Sequence, residues 1–232
     1  MDQLLYQNCV GIDGCKDGWI VVYARPNEFS HAKALHINNL SHLREVFSKD
    51  SIMIVDIPIG LEKTKPRRSC DVEARRYLGS RSSTIFSPPC LNAVSEKTYQ
   101  SAKTINLEIT GMSISKQAWF LSNKILEARH ALDKGLPLKE GHPECSFTTF
   151  LNEPIKFKKK SLKGLFKRID VLYQLGFDIP KLATQLTDQI EANADDLIDA
   201  AILCWTASRC AAGENKKFPQ KKLEGCDAEI YI

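Results

Sequence analysis

Residues 51–57 read SIMIVDI, an unbroken apolar run with one acid near its C-terminal end, stopped by Pro58 and Gly60. A strand with one wet face alternates apolar and polar residues. A continuous run suits a strand covered on both faces, as in the parallel sheets of α/β proteins. An aspartate inside such a strand costs desolvation energy unless something compensates it. Asp56 is therefore the first residue whose chemistry needs an explanation.

The segments before it supply the rest of a sheet. Residues 9–12 form a short β-prone run ending at Asp13-Gly14, and residues 19–24 (WIVVYA) form a second. The glycine-flanked turn from Gly14 to Gly18 between them is a hairpin signal. A third strand is expected at 32–37. Asn38 or Asn39 can cap a following helix to about Ser48, with Leu40, Leu43, Val46 and Phe47 on one face. The order is then β-β-β-α-β.

Downstream, residues 70–78 read as a short helix and 80–89 as a polar, proline-rich loop. Residues 115–134 read as one helix stopped by Gly135, with Trp119, Phe120, Ile125, Leu126 and Leu132 as its apolar positions. Residues 144–150 are expected as a short strand, 162–175 as an amphipathic basic helix, and 228–232 as a last edge strand. A helix opens at Asn193-Ala194-Asp195-Asp196 and runs to about Ala212, its acids suiting the N-terminal dipole.

A chain of 232 residues suits one large domain, or one with an elaboration at about 62–117. Its N-terminus lacks a basic segment followed by a long apolar run, so no signal peptide is expected. The most apolar stretch, 52–61, is too short to span a bilayer. These readings give a soluble, cytoplasmic protein with no membrane partner. Eight cysteines (Cys9, Cys15, Cys70, Cys90, Cys145, Cys204, Cys210 and Cys226) contain no Cys-x-x-Cys pair. Reduced thiols used as small apolar residues are expected, not a zinc site or a disulfide framework. Oligomeric state is not legible; a homodimer is compatible with the sequence.

Net charge is a mild +4, but its distribution is uneven. Residues 156–168 (KFKKKSLKGLFKR) hold seven basic residues and no acid, including Lys158, Lys159 and Lys160. A second basic group (KTKPRR) covers 63–68, and a third lies at 216–222. Such clusters can follow a phosphate backbone, and nucleic acid is the partner they suggest. The plainer reading is a solvated surface.

Asp13 ends strand one and Asp56 ends the central apolar strand. If those strands are parallel neighbours, both carboxylates project at the edge where open α/β sheets bind ligands. Asp196 and Asp199 share a helix face at i, i+3, with Asp195 and Asp199 the i, i+4 alternative. The helix then turns small and apolar (AAILCWTA), so it should pack on the sheet and bring its first turn to the strand ends. Four carboxylates from three segments can hold one or two cations, Mg²⁺ or Mn²⁺ by the hardness of oxygen ligands. Each acid also has a structural reading: turn former for Asp13, hydrogen-bond acceptor for Asp56, capping acids for Asp195 and Asp196. In His142-Pro143-Glu144, Glu144 is a further ligand candidate and His142 a candidate for ligation or acid–base work.

Six blocks carry a resemblance. They are GIDGCKDGW at 11–19, DIPIGL at 56–61, CDVEARRYLG at 70–79, RSSTIFSPP at 81–89, HPECSF at 142–147 and DDLIDA at 195–200. Together the chain resembles the predicted ribonuclease-H-like nuclease family, domain-of-unknown-function family 429. The resemblance implies a ribonuclease-H-like fold, a five-stranded mixed sheet of order 3-2-1-4-5 flanked by helices, as one domain over residues 1–232. By similarity to RuvC-like resolvases, it implies Asp13, Asp56, Asp196 and Asp199 as the catalytic acids. Those resolvases usually carry glutamate where this chain has Asp56, and residues 70–117 have no clear counterpart in them.

The expected activity is phosphodiester hydrolysis by two Mg²⁺ or Mn²⁺ ions about 4 Å apart. Asp13 would bridge both ions, with Asp56, Asp196, Asp199 and Glu144 around them. Arg81, Ser82, Ser83, His142 and Lys158 to Lys160 would hold the substrate's phosphates. Two alternatives stand beside it. One is a nucleotide-dependent phosphotransferase, which needs two lobes and more than 232 residues. The other is a non-catalytic binding or scaffold protein on the same fold.

Overall fold

The computed structural model describes residues 8–64, 67–186, 192–221 and 228–232. Cys226 and two members of the basic clusters, Lys65 and Lys222, lie outside the described residues. The strands are β1 (Cys9–Cys15), β2 (Gly18–Ala24), β3 (Lys33–Ile37), β4 (Ile52–Val55), β5 (Leu138–Gly141), β6 (Lys217–Phe218) and β7 (Ile230–Tyr231). The helices are α1 (Leu43–Val46), α2 (Ser69–Leu78), α3 (Tyr99–Thr110), α4 (Lys116–Phe120), α5 (Ser122–Asp133), α6 (Pro143–Leu151), α7 (Leu162–Gln174), α8 (Ile179–Ala183) and α9 (Ala194–Ala211).

The strands form one mixed sheet in the order β3-β2-β1-β4-β5-β7-β6. Its first five members stand in the expected order, but the sheet has seven strands, not five. The two additions are only two residues long each, below the length at which a hydrophobic pattern can be read. Strand β7 is not an edge: it pairs in parallel with β5 and antiparallel with β6. Strands β1 and β4 are parallel neighbours, with Ile12 opposite Val55.

The period of two in β1 and β4 assigns their side chains to two apolar layers. Val10, Ile12, Met53 and Val55 pack against Ile125 and Ala128 of α5. Glu127 of α5 accepts from the Trp19 indole at 2.9 Å and the Leu40 amide at 2.7 Å, pinning that helix. Cys9 and Ile54 face the opposite layer, which is dominated by α9 from Leu197 to Ala207. The same parity puts Gly11 and Asp13 on the α9 side. A Cβ on Gly11 would lie 2.0 Å from the Ala200 carbonyl oxygen and 2.2 Å from the Cys204 amide nitrogen. Helix α9 therefore rests on the backbone of β1, possible only because residue 11 has no side chain.

Three further expectations are corrected. Residues 144–150 are helical, within α6: Pro143 sits at the first helical position, where its fixed φ and missing N–H suit a helix start. Burial of every residue from Pro143 to Thr148 imitates the pattern of a covered strand. The helix expected over 115–134 is two helices, α4 and α5, with Leu121 between them. Its N–H turns back to the Trp119 carbonyl. Third, the helix after Asn39 is a 3₁₀ turn (Leu40–His42) running into the four-residue α1, although Asn39 caps it by accepting from the Ser41 amide. Strand β5, with the buried Glu140, was not anticipated. The elaboration at about 62–117 holds α2, α3 and a 3₁₀ turn (Gly79–Thr84). The seven described cysteines are thiols, six of them buried. No helix among the described residues is long and apolar enough to cross a membrane.

The Gly11 contact gives a direct prediction. Gly11→Ala should destabilise the protein by about 3 kcal/mol or more in urea denaturation, because the obstructing atoms are helix backbone and cannot rotate away. A loss under about 1 kcal/mol, the range of an ordinary tolerated swap, would mean that α9 does not rest on β1 as described.

Candidate acidic site

Three aspartates from separate elements meet where α9 crosses the ends of the strands. Asp13 belongs to β1, which continues to Cys15, so it lies within the hairpin strand and not at its end. Its Oδ1 accepts from the Gly14 amide at 2.8 Å. Asp56 follows the last residue of β4, and its amide donates to the Ile12 carbonyl at 2.9 Å, extending the β1–β4 ladder by one bond. Asp199 stands in the second turn of α9, next to Ala200, whose carbonyl touches Gly11. The close approach of helix and strand is what brings Asp199 to Asp13.

Electrostatics show the proximity. Burial raises the Asp13 carboxyl well above the usual range, and the charges of Asp56 and Asp199 raise it further. Asp56 is pushed up to about 7 by burial, against the pull of Lys159 and with the help of Glu144. Asp199 is also pushed up to about 7 by burial, again opposed by Lys159 and reinforced by Asp56. Carboxyls coupled this strongly release their protons as a set.

Lys159 is the cation among them. Its Nζ donates to Asp199 Oδ2 at 2.8 Å and lies 3.1 Å from Asp195 Oδ2. Burial pulls this ammonium down, but Asp199 and then Asp13 and Asp195 hold it above the normal lysine range. Asp199 Oδ1, on the other side of the carboxylate, is buried with no hydrogen-bond partner among the described residues. Among the described residues no three histidine, cysteine, aspartate or glutamate side chains close on one point as a bound ion requires.

The remaining sequence candidates divide clearly. Asp196 caps α9: its Oδ2 accepts from the Asn193 amide at 2.8 Å, and burial raises its carboxyl. Both acids before Asp199 reach the cluster: Asp195 through Lys159, and Asp196 through the charge it exerts on Asp13. Glu144, at the start of α6, is buried beside the cluster but spoken for. Arg168 of α7 donates to its Oε1 from Nε at 3.1 Å and also from Nη2, and Arg81 Nε lies 3.8 Å from its Oε2. The His142 ring is held below its ordinary pKa by burial, so it is neutral near pH 7. Its Nε2 lies 3.4 Å from the Thr84 carbonyl, while Nδ1 is buried with no partner among the described residues. Ser82 is half-buried and Ser83 exposed on the 3₁₀ turn that carries Arg81, and Lys158 and Lys160 are exposed.

One buried network was invisible in sequence. Arg68, counted among the basic surface clusters, is buried and bridges Asp71 and Glu140. Its Nη1 also donates to the Gly60 carbonyl at 3.0 Å, and Glu140 Oε2 accepts from the Ile59 amide at 2.9 Å. These bonds fix the loop that leaves Asp56. Only the i, i+3 spacing of Arg68 and Asp71 hinted at it; Glu140 is 72 positions away from Arg68.

The raised carboxyls set the sign of the pH dependence. The folded protein holds protons on Asp56 and Asp199 that an unfolded chain releases near pH 4. Their contribution to stability is therefore complete below about pH 4 and is lost as pH rises through about 7. With a chelator present, Tm should fall between about pH 5 and about pH 8, and Asp56→Asn should flatten the fall. A wild-type Tm that rises over that window would contradict the shared burial of these acids.

A family model described as a protein of unknown function (DUF429) matches residues 11–224. No curated protein and no solved structure matches the chain. The matched span contains β1 from Gly11 onward, β4, the Arg68 network, α6, α7 and the whole of α9, and so every residue of the acidic site. The chain belongs to the DUF429 family of proteins of unknown function.

Proposed function

We propose that this protein has a ribonuclease-H-like fold and is a metal-dependent nuclease that hydrolyses phosphodiester bonds with the Asp13, Asp56 and Asp199 carboxylates. The reading is carried by one observation: three aspartates remote in sequence gather at one place, Asp13 and Asp199 buried and Asp56 half-buried, where burial raises each carboxyl, Asp56 raises the other two and Asp199 raises Asp13. Perturbed acids gathered at a strand edge are what functional sites require and what stability alone opposes. The order β3-β2-β1-β4-β5, with β2 antiparallel to its neighbours, supports the fold assignment.

The residues fit a hard divalent cation in their donor chemistry. Carboxylate oxygens are its preferred ligands, and Asp199 Oδ1 is a buried acceptor with no donor among the described residues. Asp13, Asp56 and Asp199 would hold Mg²⁺ or Mn²⁺, with Asp196 at the margin because one of its oxygens caps α9. When bound, such ions supply Lewis acidity at the phosphoryl group. The chain's own residues do the rest. Arg168 neutralises Glu144 and so keeps one acid from repelling an incoming phosphate. Arg81 lies beside it, with Ser82 following on the same turn, as phosphate donors. Lys159, on a flexible stem, can leave Asp199 and pair with substrate instead.

A second reading is favoured by Lys159 itself. Its ammonium already neutralises Asp199 and Asp195, as a purely structural counterion would. On that reading the acids serve a binding or scaffold protein.

The test is cleavage of DNA, RNA and branched substrates with Mn²⁺ or Mg²⁺. Wild-type protein should cleave at least one, and Asp13→Asn should lose about a hundredfold or more of that activity. Equal activity in Asp13→Asn removes the mechanism. Lys159→Met separates the two readings. If the acids hold metal, the variant should bind Mn²⁺ more tightly than wild type in calorimetry, since a competing charge is gone. A structural counterion predicts a less stable variant with no Mn²⁺ heat at all.

A further inference from the structure

The basic segment 156–168 does not behave as one surface. Two of its seven basic residues turn inward, Lys159 to Asp199 and Arg168 to Glu144. What remains outside is accompanied by large apolar side chains. Leu162, Phe166 and Tyr173 are 72%, 59% and 77% exposed, and Phe157 just before the helix is 46% exposed. At 100° per residue, Leu162, Phe166, Ile169 and Tyr173 fall within a sector of about 60° on α7, a stripe about 16 Å long. The buried residues Gly164, Arg168, Val171 and Leu172 occupy the other side. Ile169 packs partly on the core, while Leu162, Phe166 and Tyr173 stand open. Phe166, Ile169 and Tyr173 line an open groove of about 510 Å³ together with Phe177, Ile179 and two acids, Asp170 and Asp178.

We propose that this face of α7, with the segment 156–160 leading into it, binds single-stranded nucleic acid by stacking bases on Phe166 and Tyr173 while lysines hold the phosphates. The choice of occupant rests on the nuclease reading and on two features of the surface. The first is charge: Lys156, Lys158 and Lys160 lie exposed on the segment that leads into the stripe, and Lys163 Nζ stands 5.7 Å from the centre of the Phe157 ring. Of the two acids in the groove, Asp170 is already tied to Lys167 at 3.1 Å and Gln174 at 3.0 Å, and Asp178 accepts from the Lys181 amide at 3.0 Å as the cap of α8. The second is continuity: the stripe begins three residues after Lys159, so a strand lying along it reaches the acidic site at its end. A duplex hides its base faces and gains nothing from exposed rings. A single strand offers them, and each stacked base contributes roughly 1–3 kcal/mol, about 5-fold to 150-fold in affinity.

The experiment uses full-length protein carrying Asp13→Asn, with chelator present, so that nothing is cleaved. Fluorescence anisotropy with labelled oligo(dT) and oligo(rU) of about 15 nucleotides measures binding. A matching duplex and anionic phosphatidylserine vesicles serve as competitors. The expected result is tighter binding of single strand than of duplex. The double substitution Phe166→Ala with Tyr173→Ala should weaken it about tenfold or more at unchanged Tm. Lys158→Ala should instead lower the salt dependence by about one ion. Equal affinity for duplex, an unaffected aromatic variant, or binding to vesicles in place of oligonucleotide would each overturn the proposal. The two readings fail separately. Stripe-dependent binding with no metal-stimulated cleavage by wild type leaves the docking surface and removes the nuclease. Cleavage that is indifferent to the aromatic variant does the reverse.

Discussion

Helix α9 lies directly on strand β1, and the contact has no side chain in it. A glycine at position 11 is what lets an eighteen-residue helix approach so closely. The consequences run outward from there. The helix covers one face of the sheet with Ile198, Ile202 and Leu203. Its second turn reaches the end of β4. Asp199 then meets Asp13 and Asp56 in a place that water does not reach freely. The cost of gathering three acids there is met by the apolar burial that the same contact creates.

The buried charges around this site fall into two kinds. Glu140 and Glu144 are each held by an arginine, Arg68 and Arg168, whose planar fork fixes them in place. Those acids position loops: Glu140 the exit from Asp56, Glu144 the start of α6. Asp13, Asp56 and Asp199 have no arginine. The cation bonded within this group is Lys159, a point charge on a flexible stem, and Lys124 acts on Asp13 through its charge. The rigid pairs build a frame, and the acids inside it are left with a counterion that can move. That division suits a site which must admit a cation or a phosphate group.

Much of this was legible in the sequence because it depends on local pattern. The apolar run ending at Asp56 gave a covered parallel strand, and the hairpin around Gly14 to Gly18 put β1 beside β2. The small residues after Asp199 marked α9 as the helix that packs on the sheet. What stayed hidden depends on distant partners or on length. Glu144 looked like a ligand because nothing nearby in sequence reveals Arg168. Arg68 looked like surface charge because Glu140 lies far along the chain. Strands β6 and β7 are too short to show a period, and α6 is buried so completely that its helical repeat is lost. Lys159 was legible as basic, but a sequence cannot say that one lysine of a cluster turns inward while its neighbours stay in solvent.

The central claim is that Asp13, Asp56 and Asp199 share one cation site. Crystals soaked in Mn²⁺ and measured for anomalous scattering test it most directly. The account predicts a peak bounded by these three carboxylates, with Lys159 withdrawn from Asp199. A soaked crystal with no peak there and Lys159 still bonded to Asp199 would contradict it.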